Sequence, residues 1–363
     1  MSSVNIGESI KLALFGESHG PFIGGVVDGF PYGFSINMTE LKDFIKRRTP
    51  GNSNFVTQRK EQDELIFLSG IKDSVIMGDP LAIIIKNENA DSSAYNDLLN
   101  RPRPSHVDYA AIKKYGQFID LNGGGHFSGR VTAVVTAFGG IAKQILESQN
   151  IYVFAHLLRI MDVIDIGHDE IDDISVFRVS DINRYSIINE KNVDRIDKLI
   201  NKLKKEGESI GGIVECSIIG LSAGIGEPIF NGIESNISKL VFSIPGVKGI
   251  EFGSGFDGAM KLGSENNDEF YIDENKRIKT FTNNSGGILG GISNGMPINF
   301  KVAFKPTPSI KKTQRTVDLT KNEQITINIG GRHDPCIAIR GVAVVEAITA
   351  LVILDYIKAK LKF

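Results

Sequence analysis

GGVVDGFPYGFSIN, residues 24–37, opens with two glycines, runs through an apolar stretch and closes on a glycine–proline turn. A helical pattern follows it after Thr39. The apolar run suits a buried strand, and the Gly-Phe-Pro-Tyr-Gly cluster suits a sharp reversal. GGIVECSIIGLSAGIG, residues 211–226, follows the same plan and leads into a second helical pattern after Glu234. The likeness predicts a pseudo-duplicated pair of strand–helix halves. No linker rich in proline or serine lies between them, so residues 1–363 read as one domain of the α+β class.

Other elements extend from these two segments. Strands are predicted at Gly24–Asp28, Leu65–Leu68, Leu81–Lys86, Tyr152–Leu157, Gly212–Ile219, Gly249–Phe252 and Ile298–Phe304. Thr39 and Ser128 are placed to cap the helices that follow them. Residues 191–206 are charged, with Ile196, Leu199, Ile200 and Leu203 on one stripe, which predicts an amphipathic surface helix. A last helix is expected over about 340–361, apolar first and basic at its end, as the helix dipole favours.

The chain is long enough for a large core: 363 residues, 41% hydrophobic, with a net charge of −2. Near-neutral charge gives no broad field for nucleic acid or a membrane surface. The run Val342 to Leu354 carries Glu346, is too short to span a bilayer, and is expected to be a buried helix. Two distant cysteines, Cys216 and Cys336, make no disulfide framework. The first residues, MSSVNIGESIK, lack a secretory pattern. A reducing, cytoplasmic setting is therefore expected.

Chemistry is concentrated in glycine-, arginine- and histidine-rich segments. FGESHG, residues 15–20, crowds Glu17, Ser18 and His19 between glycines. Ser18 and His19 are sequence neighbours with no nucleophile elbow around them, which disfavours a serine hydrolase. KRRTPGNSNFVTQRK offers Arg47, Arg48, Arg59 and Lys60; RPRPSHVDY offers Arg101, Arg103 and His106. Guanidinium forks on a proline-stiffened backbone suit phosphate or carboxylate, the rival being a solvated basic face. In LNGGGHFSGR, residues 121–130, glycines open the backbone before a helix start near Ser128, a natural anion site that Arg130 reinforces. It fits neither the dinucleotide fingerprint nor the Walker motif. AFKPTPSI presents Thr307 and Ser309 on a stiff extended segment, and GGRHDPCIAIRG gathers Arg332, His333, Asp334 and Arg340. No histidine or cysteine spacing of a metal motif appears, so no metal is expected.

GESHG, RRTPG…TQR, RPRPSHVDY, NGGGHFSGR, SIPGVKGIEFGSGF, NNSGGILGGISNGMPI, FKPTPSI and GRHDPC occur in that order from about residue 10 to about 350. In this combination the chain resembles the chorismate synthase family. The resemblance implies a β-α-β sandwich, a homotetramer, and conversion of 5-enolpyruvylshikimate 3-phosphate to chorismate by 1,4-anti elimination of phosphate and a ring proton. It implies reduced FMN in a reaction with no net redox change. NADPH used directly, or an external flavin reductase, would supply the reducing power.

By resemblance, Arg47, Arg48, Arg59, Arg130 and Arg332 would bind the anionic substrate. Arg48, His126, Phe127, Ser128, Pro245, Gly246, Gly290, the segment Lys305, Pro306, Thr307, Pro308 and Ser309, and Arg332 would hold flavin, with Arg48 also at a pyridine-nucleotide position. His19 would face the departing phosphate, His106 would stand near the flavin, and Asp334 would sit by its N5. Ser18 and Ser128 would relay or orient protons. The chain departs from the family at His126 and Phe127, where many members carry arginine and serine, and at Asn54, where some carry another arginine. A phosphosugar or phosphoacid lyase without flavin, and a non-enzymatic phospholigand binder, are the rival readings of the same residues.

Overall fold

The structure, a computed structural model, describes residues 3–6, 8–49, 63–87, 100–171, 174–177, 183–330, 334–358 and 361. Its first sheet contains β1 (Ser3–Asn5), β2 (Lys11–Gly16), β3 (Phe22–Asp28), β4 (Ile66–Ser69) and β5 (Leu81–Lys86), in the order β1-β2-β3-β5-β4. The second contains β6 (Tyr152–Ile160), β7 (Val163–Ile164), β8 (Gly212–Ile219), β9 (Val247–Phe252) and β10 (Ile298–Phe304), in the order β9-β10-β8-β6-β7. Every pairing in both sheets is antiparallel.

The duplication is explicit in this topology. Strands β2-β3-β5-β4 and β6-β8-β10-β9 have the same order. Before β5 and β10 the chain makes the small hairpins Ile71–Ile76 and Ile288–Ser293. Each is bridged to the loop after the second strand of its half, Ser35 to Val75 and Gly226 to Ile292. Each is followed by Gly-x-Pro, at Gly78–Pro80 and Gly295–Pro297. A proline just ahead of a strand is compatible with pairing because its missing N–H falls outside the ladder.

Six of the described helices are eight residues or longer. They are α1 (Met38–Arg48), α2 (Asp108–Tyr115), α3 (Thr132–Glu147), α4 (Val193–Glu206), α5 (Ile233–Val241) and α6 (Ala338–Ile357). Helix α3 touches β3 and β5 on one side and β6 on the other, while α6 touches β6, β8, α1, α3 and α5. The result is a β-α-β sandwich with a single apolar core joining both sheets. Both central helices are apolar around most of their circumference, as burial on several sides requires. Their crossing depends on Gly139, where a Cβ would stand 2.3 Å from Ala347 Cβ and 2.4 Å from its Cα. Each side chain sealed here contributes; a fully buried Phe138 is worth about 1.5–3 kcal/mol.

Several boundaries differ from expectation. Asn37, not Thr39, caps α1: its side chain accepts from the N–H groups of Thr39 and Glu40. Ser128 caps the 3₁₀ turn Gly129–Val131, which runs directly into α3. Helix α6 stops at Ile357, so Lys358 follows it and its last turn carries no basic residue. Strand β2, KLALFG, carries the GESHG turn and was not anticipated. Helix α4 buries Ile196, Ile200 and Leu203 as the stripe predicts. Cys216 and Cys336 are both free and buried. Among the described residues, no helix is long and apolar enough to cross a membrane.

Candidate active site

β2 ends at Gly16, and the chain turns through Glu17–Gly20 into β3. Asn87, just past β5, holds this turn: its Nδ2 donates to the carbonyls of Glu17 at 2.9 Å and Gly20 at 2.7 Å. The turn also docks onto the triple glycine. The Ser18 N–H donates to the Gly125 carbonyl at 3.1 Å, and His126 Nδ1 donates to the Gly16 carbonyl at 2.9 Å.

Gly123, Gly124 and Gly125 have φ of 59°, 93° and 54°, the left-handed region that side chains disfavour. The space beside them is occupied. A Cβ on Gly123 would lie 2.0 Å from His19 Cε1, 2.1 Å from its Nδ1 and 2.7 Å from Ser18 Oγ. One residue on, a Cβ on Gly124 would lie 3.6 Å from His106 Cε1, 3.7 Å from its Nε2 and 3.6 Å from Ser128 Cβ. Ser18, His19, His106 and Ser128 therefore meet on two adjacent glycines. Ser18 Oγ is buried with no hydrogen-bond partner among the described residues. Glu17 stands beside Asp120 and His126; burial and the Asp120 charge raise its carboxyl above the usual range.

His106 is oriented from behind. Its Nδ1 lies 2.6 Å from Asp108 Oδ1, and Arg103 grips the same carboxylate with Nε at 2.7 Å and Nη2 at 2.8 Å. Asp108 is fully buried and ionised, so it only accepts; the Nδ1 proton belongs to His106. Nε2 is then the atom presented toward Gly124. Burial works against the Asp108 charge, but Arg103 and His106 together hold its carboxyl well below the usual carboxylate range. A depressed folded-state pKa stabilises above the unfolded value and is lost as pH falls through the folded one. We expect Asp108→Asn to cost about 3–5 kcal/mol at pH 7, since the buried Arg103 guanidinium loses the carboxylate charge it pairs with. That difference should be level above about pH 5 and shrink below about pH 4, near the unfolded pKa of an aspartate. Urea denaturation of both proteins from pH 3 to 8 checks it; a flat difference across the acid range contradicts the assignment.

Among the described residues, Arg48, Arg103 and Arg130 are buried rather than part of a solvated face. Arg48 and Arg130, 1% and 4% exposed, converge on Asp63. Burial opposes the Asp63 charge, but the two guanidinium groups lower its pKa overall. Arg130 Nε also donates to Asn87 Oδ1 at 2.8 Å, and Arg48 Nη2 to the Gly129 carbonyl at 2.9 Å. Arg47 pairs with Glu346 of α6 at 3.0 Å, and Lys143 of α3 reaches the same carboxylate. Arg101 pairs with Asp318 at 3.3 Å.

The second half closes the site. Lys305 Nζ donates to the Ser105 carbonyl at 2.5 Å, next to His106, and the Lys305 N–H donates to Gly246 at 2.9 Å. Thr307 Oγ1 donates to the Asp334 carbonyl at 2.8 Å. Arg340 spans two regions: Nη1 donates to Asp334 Oδ2 at 2.6 Å and Nε to the Arg48 carbonyl at 2.9 Å. A polar chain thus runs from Asp334 through Arg340, Arg48, Asp63, Arg130 and Asn87 to the GESHG turn.

Other predicted residues stand apart or outside. Pro306 is exposed, Ser309 is buried, and Phe127 packs near Tyr115 with ring centroids 6.4 Å apart. Gly290 forms the tip of the Ile288–Ser293 hairpin, whose hydrogen bonds reach Ile225, Ser222 and Ile233. Arg59, Arg332, His333 and Asn54 lie outside the described residues. Sequence reading passed over Asp63, Asn87 and Asp108. Asp108 alone left a trace, an acid two residues after a histidine at a helix start.

Comparison with known proteins completes the description. The chorismate synthase family model matches residues 10–357. The chain is similar to the chorismate synthase of Korarchaeum cryptofilum, 42% identical over 98% of each chain. It is 43% identical to that of Lachnoclostridium phytofermentans over 98% of this chain and 95% of that one. A crystal structure of chorismate synthase superposes with a TM-score of 0.75 at 25% identity, covering 98% of this chain and 93% of that one.

Proposed function

The chain belongs to the chorismate synthase family, and we propose that its active site is the place where the GESHG turn, the triple glycine and His106 meet. It is a carbon–oxygen lyase that forms chorismate from 5-enolpyruvylshikimate 3-phosphate, the last step of the shikimate pathway. What supports this placement is the meeting of Ser18, His19, His106 and Ser128 on Gly123 and Gly124.

Reduced FMN fits the residues present. Ser18 offers a buried hydroxyl with no partner among the described residues, Gly123 and Gly124 let His19 and His106 pack directly on the backbone, and Lys305 and Thr307 bring in the second half. When bound, reduced FMN supplies the site with transient electron donation that is returned within the turnover. Gly246, Ser128, His126, Phe127 and the Lys305–Ser309 segment hold it, with Pro245, Gly290 and Arg332 as further contacts.

His19 holds a proton toward the departing phosphate. His106 presents Nε2 to the site while Asp108 keeps Nδ1 protonated. Asp334, fixed through Oδ2 by Arg340, would stand beside the flavin N5 and assist the departure of the ring hydrogen. Ser18 and Ser128 orient these groups, and Arg47, Arg48, Arg59, Arg130 and Arg332 supply positive charge for the polyanion. Reducing power comes from NADPH or from an external reductase; aerobic turnover on NADPH alone separates the two.

Residues 1–363 form one catalytic domain, working in the cytoplasm as a homotetramer. Support for self-association comes from large apolar side chains in water: Phe230, Phe256 and Met260 are 87%, 80% and 89% exposed. Light scattering at micromolar concentration should give four times the 39.6 kDa chain mass; a monomer contradicts it.

The cofactor role is tested anaerobically, with photoreduced FMN far below the substrate concentration. Chorismate should accumulate in large excess over flavin, which ends reduced. One equivalent of product per flavin, or equal rates with oxidised FMN, overturns the proposal.

A further inference from the structure

The second sheet contains a group of side chains that the elimination does not use. His156 on β6 and Glu215 on β8 are directly opposite across an antiparallel pair, so both point to one face. His168 enters from the single turn His168–Glu170. His156 Nε2 and His168 Nδ1 each lie 3.9 Å from Glu215 Oε2, and one ligand atom from each residue falls within 4.8 Å of the others. The three residues are 0%, 5% and 3% exposed.

Two observations mark this as more than a packed polar trio. Among the described residues the ring of His156 has no well-formed hydrogen bond, only a weak approach to the Ile166 backbone, although it is completely buried. A buried polar group so poorly satisfied is costly to keep. Second, the turn that brings His168 is pinned by its own N–H donating to Glu215 Oε2 at 2.7 Å, so the carboxylate is already fixed between the rings.

We propose that His156, His168 and Glu215 form a structural site for a divalent transition cation of the zinc class. Two neutral imidazoles and one carboxylate are a zinc donor set. Tetrahedral bonds of about 2.0–2.1 Å place donors roughly 3.3 Å apart, so each histidine closes on Glu215 by roughly half an ångström and the two rings approach each other by up to about 1.5 Å. His168 Nδ1 exchanges its 2.5 Å bond to Ser217 Oγ for the metal, and Ser217 keeps its 2.6 Å bond to Asn299. Water completes the coordination. The ion's path is short, since Asp169 and Glu170 beside His168 are exposed and acidic. The ligands are 12 and 47 residues apart in sequence, so no local motif betrays them, and the expectation of no metal rested on local spacing alone. Such a site fastens the 163–170 loop to the sheet, away from the histidines of the glycine cradle.

The test uses the full chain, stripped with chelator and titrated with Co²⁺ as a spectroscopic probe. Visible d–d bands of a four-coordinate nitrogen–oxygen site should saturate at one Co²⁺ per chain and disappear on adding Zn²⁺. Zn²⁺ should raise the thermal midpoint of the wild-type protein. Glu215→Gln and His156→Gln should each weaken binding by about 100-fold or more, at least the loss seen for outer-sphere partners. Absence of a saturable band in the wild-type protein overturns the proposal without reference to any variant. Equal binding by both folded variants overturns it too, since the ion then sits elsewhere.

Discussion

Replacing His106 by alanine should lower turnover by about 10²- to 10⁴-fold, the range lost when a positioned acid or base is removed. Asp108 and Arg103 fix one edge of the ring, so its entire freedom is spent on presenting Nε2 at Gly124. His19→Ala should produce a loss in the same range, because its ring occupies the neighbouring position at Gly123. Both variants should fold, since neither ring is in the apolar core. Steady-state chorismate formation with reduced FMN, beside a thermal melt, is the measurement. Near-normal turnover in either variant removes that histidine from its role.

Gly123→Ala should reduce turnover by about 100-fold through geometry alone. The alanine methyl would fall 2.0 Å from His19 Cε1, so the ring must move by more than an ångström. Displacements of about 1 Å in a reacting group can cost about 10²-fold. Backbone strain adds about 1–2 kcal/mol of destabilisation at φ 59°. Gly116 separates the two effects: its φ is 61°, and nothing lies within 4 Å of where its Cβ would stand. Gly116→Ala should lose stability and keep its turnover. If Gly123→Ala is as active as Gly116→Ala, the His19 ring is not held where the reaction needs it.

The segments that carry chemistry were legible in the sequence because each combines glycine with polar side chains over a few residues. GESHG, RPRPSH and NGGGHFSGR do meet, and the doubling of strand and helix is real, with Gly-x-Pro before β5 and β10 as its plainest unread sign. The positioning groups were not legible. Asp63, Asn87 and Asp108 act on residues 15, 67 and 5 positions away, and only folding shows who their partners are. The arginines illustrate the limit: type and spacing gave no sign that Arg48 and Arg130 are buried against Asp63, or Arg103 against Asp108. Arg340 joins residues 48 and 334, a distance along the chain that no pattern search spans.

The apolar girth of α3 has a bearing on how the protein is made. Residues through 147 can emerge from the ribosome and lay one side of this helix on the first sheet. Its opposite side must wait for β6 and for α6, which is not complete until residue 357. At a synthesis rate of about 5–20 residues per second, that surface stays uncovered for roughly ten seconds or more. A nascent chain in that interval presents a greasy helix flanked by an open sheet, the kind of surface that holdase chaperones bind and that neighbouring nascent chains aggregate through.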